Sequence, residues 1–298
     1  MQARRLTILI LLVALSCAAT AFARTDTTTA KDTDRAATVK PLPFAPDEQL
    51  IYEGEFSKLL LRGINIAQFT FTVERAKTET ATTTPAQKNA TPAPANLVFK
   101  ADAIAKGWFR KLFGIDFHYN SESVVEPTSL LILANSTRDE QGKRLRTSEA
   151  TFDRTQNLLT WTQRNPNDPE SQPRVVKSPL NNASHDLISA IYFLRTQPLE
   201  PGRNFELNIS DAGAVYRIPV KVGARKRMKT IVGRVQTVRV DIGIFGAERL
   251  VDRKGEMTLW ITDDSRRLPV RARLDTDIGT LDITLKKVSG GNDAGGRR

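Results

Sequence analysis

The sequence predicts a mainly β protein: one strongly curved antiparallel sheet, of the open-barrel or sandwich-like kind, with one main α-helix packed against it. Three observations support this fold class. Apolar and polar residues alternate in many short runs, turn-forming residues separate the runs, and a single segment has helical spacing instead. Many short strands with few helices are typical of antiparallel barrels and sandwiches.

The alternating runs extend through most of the chain. In one of them Phe117 and Tyr119 alternate with His118 and Asn120. Alternation of this kind indicates strands that bury one face and expose the other. The other runs lie at residues 64–73, with one slip near Ala67, and at 235–240, 259–261, 270–274 and 278–285, with turn residues at 139–143 and 263–266.

The segment at residues 187–194 is the predicted helix. Residues 181–184 supply N-cap candidates, which would place His185 and Asp186 in the first turn, and Pro198 ends the helix. We expect the helix to plug an open end of the curved sheet or to cover one of its faces. Its wide apolar stripe is made of Leu187, Ile188, Ile191, Tyr192 and Leu194.

The first 23 residues predict export. Arg4 and Arg5 precede an apolar run at residues 6–15 and small residues at 21–23, which is the pattern of a cleaved secretory signal. We therefore expect an exported bacterial protein of the periplasm or outer envelope, with no transmembrane segment after signal cleavage. Lipidation at Cys17 is disfavoured, because Leu15 lies one residue nearer to this cysteine than a lipobox requires.

We expect the rest of the chain to form one domain with mobile additions. Residues 24–41 are a polar leader without apolar periodicity, which is typical of disorder. Residues 42–288 form a single β-rich domain, with a disordered Thr-, Ala- and Pro-rich loop inserted at 76–95. Residues 289–298 are a Gly-rich flexible tail.

Composition narrows the classes of partner. The chain has a formal net charge of +11, and Cys17 is its single cysteine. After signal cleavage it would hold no thiol, which excludes disulfides and thiolate metal sites. Outside the cytosol a basic chain meets anionic lipids and envelope polymers, so we predict no nucleic-acid partner.

Three well-known catalytic or phosphate-binding sequence motifs are absent. There is no G-x-S-x-G, no phosphate-binding glycine loop and no H-E-x-x-H. Only His118 and His185 could act as an imidazole base, and we expect both to be structural or exposed. The acidic run at residues 275–282 lacks the later ligands of a calcium loop. We predict no catalytic residue, no cofactor and no metal.

Two segments have the composition of binding surfaces. The first combines aromatic and basic residues and predicts contact with a ligand or a membrane, with a loop that closes the core as the alternative; it comprises Trp108, Phe109, Arg110, Lys111, Leu112 and Phe113. The second predicts contact with an anionic surface, with a solvated hairpin that protects a sheet edge as the alternative; it comprises Arg225, Lys226, Arg227 and Lys229.

The C-terminal part contains a distinctive run, LWITDDSRRLPVR at 259–271, followed by Ile278-Gly279. Earlier in the chain come EQLIY at 48–52, Gly142-Lys143-Arg144 and DLISAIYFLR at 186–195. In this order, these segments resemble the domain-of-unknown-function 3108 family of exported bacterial proteins. The resemblance covers most of residues 42–288. It implies a periplasmic or outer-envelope protein with a curved antiparallel sheet, and it brings no catalytic motif.

Three functions remain open at this stage. The leading hypothesis is a non-enzymatic protein that binds a hydrophobic or amphipathic envelope molecule, such as a lipid, inside its curved sheet. The second is a structural or scaffolding protein that contacts envelope proteins or polymers. The third is a hydrolase that uses His118 or His185. The first predicts a cavity, whereas the second predicts a packed core with an exposed patch.

Overall fold

The computed structural model describes residues 41–77, 95–106, 116–180 and 183–291. The strands are β1 Gln49–Lys58, β2 Leu61–Arg75, β3 Leu97–Ala105, β4 Phe117–Val125, β5 Ile132–Gln141, β6 Arg144–Asp153, β7 Leu158–Arg164, β8 Arg174–Pro179, β9 Ser184–His185, β10 Asn204–Asp211, β11 Ala214–Thr230, β12 Gly233–Ile242, β13 Gly255–Thr262, β14 Pro269–Thr276 and β15 Gly279–Ser289. Helix α1 spans Leu187–Thr196.

All the strands belong to one sheet, which confirms the predicted fold class. Its order is β8-β7-β6-β5-β4-β3-β2-β1-β15-β14-β13-β12-β11-β10-β9. Every pair is antiparallel except β9 with β10. The slip near Ala67 is real, since the β1–β2 register shifts between Gly54 and Glu55, where β2 moves from Ala67 to Asn65. Such a β-bulge increases the local twist and helps a sheet to curl.

The sheet curls until its two flanks meet. The hydroxyl of Ser178 on edge strand β8 donates to the carbonyl of Gly213 in the β10–β11 turn at 2.6 Å. A Cβ at Gly213, where φ is +84°, would lie 2.7 Å from Val176. Only glycine permits this backbone conformation and this approach together. The flanks therefore touch by packing and a side-chain bond, and the concave face looks inward.

The strand ends define two ends of the curled sheet. The end near Arg144 and Arg146 is called the arginine end. It carries the β1–β2, β5–β6, β10–β11 and β14–β15 turns, at residues 59–60, 142–143, 212–213 and 277–278. The helix end carries the turns at residues 126–131, 231–232 and 263–268. Helix α1 contacts the helix end, because the Arg195 guanidinium donates to the carbonyl of Arg266 at 3.0 Å.

Helix α1 lies between the two walls of the curled sheet. Ile188 and Tyr192, four residues apart, pack with the core of β2 to β7. Ala190 and Leu194 pack with the core of β10 to β13. Residues four apart share one helix face, so two faces of a single helix join the two walls. The helix ends before Pro198 as predicted.

The predicted N-cap, among residues 181–184, was wrong. His185 belongs to β9, and Asp186 is the N-cap. The Asp186 carboxylate accepts from the Ser189 backbone amide at 2.7 Å and from Asn135 at 2.8 Å. Asp186 also accepts a hydrogen bond from Ser123. Partners on β4 and β5 therefore select Asp186 from several residues with capping side chains.

A buried ion pair anchors the other end of the helix. The Arg195 side chain is fully buried, and its Nη1 and Nη2 donate to the Glu48 carboxylate at 2.5 and 2.9 Å. Arg195 also donates to the carbonyls of Pro43 and Arg266, both at 3.0 Å. Four hydrogen bonds offset the loss of water around the buried guanidinium. Glu48 raises the pKa of Arg195 even though burial opposes this.

We expect Arg195→Met to lower the free energy of unfolding by about 3–5 kcal/mol, because it leaves Glu48 charged and unpaired in the interior. Chemical denaturation would measure the loss. Arg138→Met is the matched control: Arg138 pairs with Glu140 at the surface, where an ion pair contributes at most about 1 kcal/mol. Equal losses in the two variants would contradict the anchoring role of Arg195.

A second prediction concerns acid stability. Burial lowers the pKa of His185 from 6.5 to about 4, so the folded protein holds this imidazole neutral while the unfolded chain protonates it near 6.5. The stability from His185 is complete above pH 6.5 and is lost as the pH falls to 4, by up to about 3 kcal/mol.

We expect His185→Gln to flatten the fall in unfolding free energy between pH 6.5 and 4. The glutamine amide can still donate to the Leu130 carbonyl, which His185 contacts. His118→Gln is the control, because His118 is exposed on the outer face of β4. An unchanged pH profile in His185→Gln would refute the prediction.

Candidate ligand-binding site

The concave face of the sheet and helix α1 enclose a cavity of about 470 Å³. From the helix, Leu187 and Ile191 line it together with wall-contacting residues such as Tyr192. Apolar side chains from both walls make up most of its surface, among them Leu50, Phe69, Phe71, Ala101, Phe117, Met257, Leu259, Leu274, Leu281 and Ile283. The cavity lies behind the helix, where the curled sheet is too wide for its own side chains to fill.

Most of the polar lining lies on β4 to β8. Register places Asp139 opposite Arg146, and Gln141 opposite Arg144, beside the β5–β6 turn. Arg174 on β8 also lines the cavity and stacks over Trp161. Several side chains that face inward from these strands are charged, and they lie near the arginine end of the sheet. The cavity is therefore amphipathic: apolar over most of its surface and charged on one side.

The charges in this polar region differ in how they are paired. Arg144 contacts the Asp139 carboxylate at 3.3 Å, and Gln141 donates to both oxygens of Asp139 at 2.9 Å. Arg146 donates to the Leu145 carbonyl at 2.9 Å, and it has no ion pair with any of the described residues. Arg146 is thus a cavity cation with free hydrogen-bonding capacity.

Tyr119 adds a neutral hydroxyl to the same region. Burial raises the pKa of this phenol well above its usual value, and the negative charge of Asp211 adds to the rise. The phenol stays protonated at any physiological pH, and it is hydrogen-bonded to Ser121. The polar side of the cavity therefore offers both a fixed cation and neutral donors to a bound polar group.

Three buried groups on or near the helix lack hydrogen-bond partners among the described residues. They are the Tyr192 hydroxyl, the Nδ1 of His185 and the Nε of Arg195. Tyr192 lines the cavity and stacks on Phe99 with a centroid separation of 4.1 Å. Burial of the phenol raises the pKa of Tyr192 far above its normal range. A neutral phenol without a partner adds one more hydrogen-bonding group to the cavity surroundings.

The basic segment predicted from the sequence lies far from this cavity. Arg225, Lys226, Arg227 and Lys229 are on the last part of β11 at the helix end, and all four are exposed. Arg225 pairs with Asp263 at 2.6 Å. Contact with an anionic surface stays a prediction for these residues.

The aromatic segment lies outside the described residues. It comprises Trp108, Phe109, Arg110, Lys111, Leu112 and Phe113. Its described neighbours, Lys106 and Asp116, stand at the ends of β3 and β4. Lys106 contacts Glu53 at 3.4 Å.

The two histidines lie on different faces of the sheet. His118 contacts Asp102 at 2.6 Å on the outer face, and nearly half of its side chain is exposed. His185 is 1% exposed beside the start of the helix. Neither belongs to the described lining of the cavity. In the turn at residues 263–268, Asp263 pairs with Arg267 and Asp264 pairs with Arg266.

Acidic residues do not gather into a metal site in the part of the chain that is described. Asp282, part of the calcium-like run, instead accepts from Arg271 and Arg273 at 2.6 and 2.9 Å. These guanidinium groups hold the pKa of Asp282 below its usual value. Within the described ranges, no helix has the length and hydropathy to cross a membrane.

Sequence reasoning missed the inward charges. The run at residues 144–148 gives a weak signal, because Arg144, Arg146 and Ser148 alternate with Leu145 and Thr147. An alternating pattern with polar residues on one side is normally assigned with that side outward. Only the register with β5 shows that the polar side faces the cavity.

Comparison with known proteins gives a family match and no curated relative. A family model described as "Protein of unknown function (DUF3108)" matches residues 60–286. No curated protein is similar to the chain at a significant level.

A solved structure shares the fold at low identity. A β-barrel-like protein of the domain of unknown function DUF1849 from Brucella abortus superposes with a TM-score of 0.52 and 9% identity, over 82% of this chain and 97% of the other. A candidate lipoprotein from Parabacteroides distasonis gives a TM-score of 0.31 and 10% identity, over 83% and 97%. The second value is too low to support an argument. The first shows a common fold and nothing about ligands.

Proposed function

The chain belongs to the DUF3108 family of proteins of unknown function, and we propose that it is a non-enzymatic protein that binds one hydrophobic or amphipathic molecule inside its curled sheet. The observation that supports this most strongly is the cavity of about 470 Å³ behind helix α1. Small-molecule sites are concave, mainly apolar, and provided with a few placed polar groups. This cavity has all three properties.

The cavity favours a ligand with an apolar body. Leu187 and Ile191 on the helix face Phe69 and Leu259 on the walls across the same space. An apolar chain that enters this space leaves water, and the gain is about 25 cal/mol for each Å² of apolar surface buried. A purely polar ligand would lose its hydration against these walls and gain little in return.

The polar side of the cavity favours an anionic or strongly polar headgroup. Arg146 has donors to spare, and Arg144 and Arg174 line the same region. A carboxylate or phosphate would receive charge-assisted hydrogen bonds there. The proposed ligand is therefore an amphiphile whose chain lies against the helix and whose head lies toward the arginine end.

The proposed location is the bacterial envelope, in the periplasm or at the outer envelope. Residues 1–23 carry the sequence pattern of a secretory signal. Amphiphiles with acyl chains are abundant in that compartment. The net charge of +11 is also suited to anionic headgroups.

The lining of the cavity favours binding without catalysis. A hydrolase of the kind considered from the sequence needs an imidazole within hydrogen-bond reach of the bound substrate. Neither His118 nor His185 is part of the described lining. Alanine at both positions should leave the cellular role of the protein intact, and loss of that role with the fold preserved would favour the hydrolase.

The first test is native mass spectrometry of the protein released gently from its own cells. We expect a discrete extra mass that organic extraction removes. Ile191→Trp should lower the ligand-bound fraction about tenfold or more, because the indole fills space that the ligand needs. Ile231→Trp, at an exposed turn, is the matched control. A bare polypeptide mass in the wild-type protein would count against the proposal.

The second test addresses the headgroup. We expect Arg146→Gln to weaken binding of a fluorescent fatty acid about tenfold, since hydrogen bonds to charged groups contribute about 1.5–3 kcal/mol. Binding of the matching fatty alcohol should change little. Arg138→Gln, on the outer face of neighbouring β5, removes the same charge outside the cavity. An equal loss for acid and alcohol would refute a headgroup contact at Arg146.

The scaffold remains a second candidate because of one surface feature. The β1–β2 turn exposes three consecutive leucines, Leu59, Leu60 and Leu61. An exposed apolar patch on a monomer marks a site of interaction. This patch can coexist with a ligand cavity, so the two functions do not exclude each other.

A further inference from the structure

The β1–β2 turn is the most exposed apolar feature among the described residues. Leu59, Leu60 and Leu61 are 86%, 99% and 49% exposed, respectively. The turn is tight, since Lys58 pairs with Leu61 and leaves only two residues at the tip. Scattered exposed apolar residues are normal, but three neighbouring leucines at a hairpin tip are not.

The backbone at this tip is also unfavourable for leucine. Leu59 has φ of +50°, in the left-handed region where a Cβ clashes with the backbone. Glycine or asparagine is the usual residue there in a two-residue hairpin turn. The sequence thus keeps a leucine where both hydration and backbone conformation disfavour it. Folding gains nothing from this side chain, which points to a use outside the fold.

Basic residues stand directly behind the leucines. Lys58 and Arg62 flank the tip, both are exposed, and neither forms an ion pair with a described residue. Asp277, in the adjacent β14–β15 turn, lies 3.9 Å from the guanidinium of Arg253. The turn therefore presents an apolar tip with two unpaired cations at its base.

We propose that residues 58–62 form a membrane-docking turn, which inserts Leu59 and Leu60 into the surface of an anionic phospholipid bilayer. The leucines would reach the boundary of the acyl chains, while Lys58 and Arg62 stay at the level of the phosphates. This order of apolar tip and cationic base matches the depth profile of a lipid surface. The proposal does not require a ligand in the cavity.

The position of the turn gives this docking a direction. The β1–β2 turn lies at the arginine end of the sheet, the same end as the β5–β6 turn beside Arg144 and Arg146. The exposed basic hairpin at 225–229 and the end of helix α1 lie at the opposite end. Docking through the turn would therefore bring the charged side of the cavity toward the membrane.

The test places a fluorophore on the turn. A single cysteine replaces Leu60 in one variant and, as the control, Ile231 in another. Ile231 is exposed at a turn on the helix end. Both variants carry Cys17→Ser, and each protein is purified after processing in its own cells. Each cysteine carries a polarity-sensitive nitrobenzoxadiazole label. With vesicles of phosphatidylcholine and phosphatidylglycerol, we expect a blue shift and a several-fold rise in emission at position 60, and no change at 231.

Substitutions then separate the apolar and electrostatic contributions in vesicle sedimentation. Leu59→Asn with Leu60→Ser should weaken binding about a hundredfold, because two buried leucines contribute most of the insertion energy. Lys58→Gln with Arg62→Gln should weaken it about thirtyfold on anionic vesicles. Both pairs lie at exposed positions, so the melting temperature should not fall, and asparagine suits the φ of residue 59.

Several outcomes would overturn the proposal. A label at position 60 that stays in water with both neutral and anionic vesicles would do so. So would equal shifts at positions 60 and 231, which would indicate non-specific adsorption. If an envelope protein protects the label at position 60 while pure lipid does not, the turn binds protein and the lipid surface is the wrong partner. None of these results depends on the cavity, so the proposed ligand binding could still hold.

Discussion

The buried contact between Arg195 and Glu48 is the constraint on which the rest of this structure depends. Helix α1 is the one element among the described residues that is not part of the sheet, and its last turn is held by that contact. Apolar packing alone would let a short helix slide between the walls, because hydrophobic contacts have no preferred direction. The guanidinium, by contrast, must satisfy its donors in one place, at Glu48 and at the carbonyls of Pro43 and Arg266. A buried charge that costs so much to desolvate is stable only in that position, and it fixes how deep the helix sits.

The cavity follows from where the helix is fixed. A curled sheet of 15 strands has a concave face too wide for its own side chains to fill. The helix fills the helix end by pressing Tyr192 on one wall and Leu194 on the other, and it leaves the space beyond Ile191 open. A longer helix, or one held nearer the centre, would have closed the core. Because the anchor lies at one extreme of the sheet, the apolar space remains on the other side. Strands β4 to β8, which carry most of the polar lining, border that space.

The sequence predicts the sheet better than the site. Strands form from patterns of neighbouring residues, whereas the site depends on contacts between residues far apart in sequence. A period of two identified most strands, and Pro198 marked the end of the helix. The helix start was missed because several residues before it can cap, and the choice of Asp186 depends on Asn135 and Ser123, more than 50 and 60 residues away in sequence. Arg195 also looks like an ordinary surface residue until Glu48, 147 residues earlier, is placed beside it. The inward arginines on β6 were hidden for a similar reason, since only pairing with β5 decides which side of an alternating run faces the interior.

The arginine end breaks the usual rule of burial in two opposite ways. Arg146 lines an interior space, while Leu59 and Leu60 stand in water. Each arrangement lowers the stability of an isolated protein, the first by desolvation and the second by exposed apolar area and a left-handed backbone at leucine. The isolated protein would be more stable if the inward arginine and the exposed leucines exchanged places. Their occurrence together at one end of the sheet argues for a surrounding that stabilises both. An interface with anionic amphiphiles is such a surrounding, because it offers acyl chains to the leucines and headgroups to the arginines.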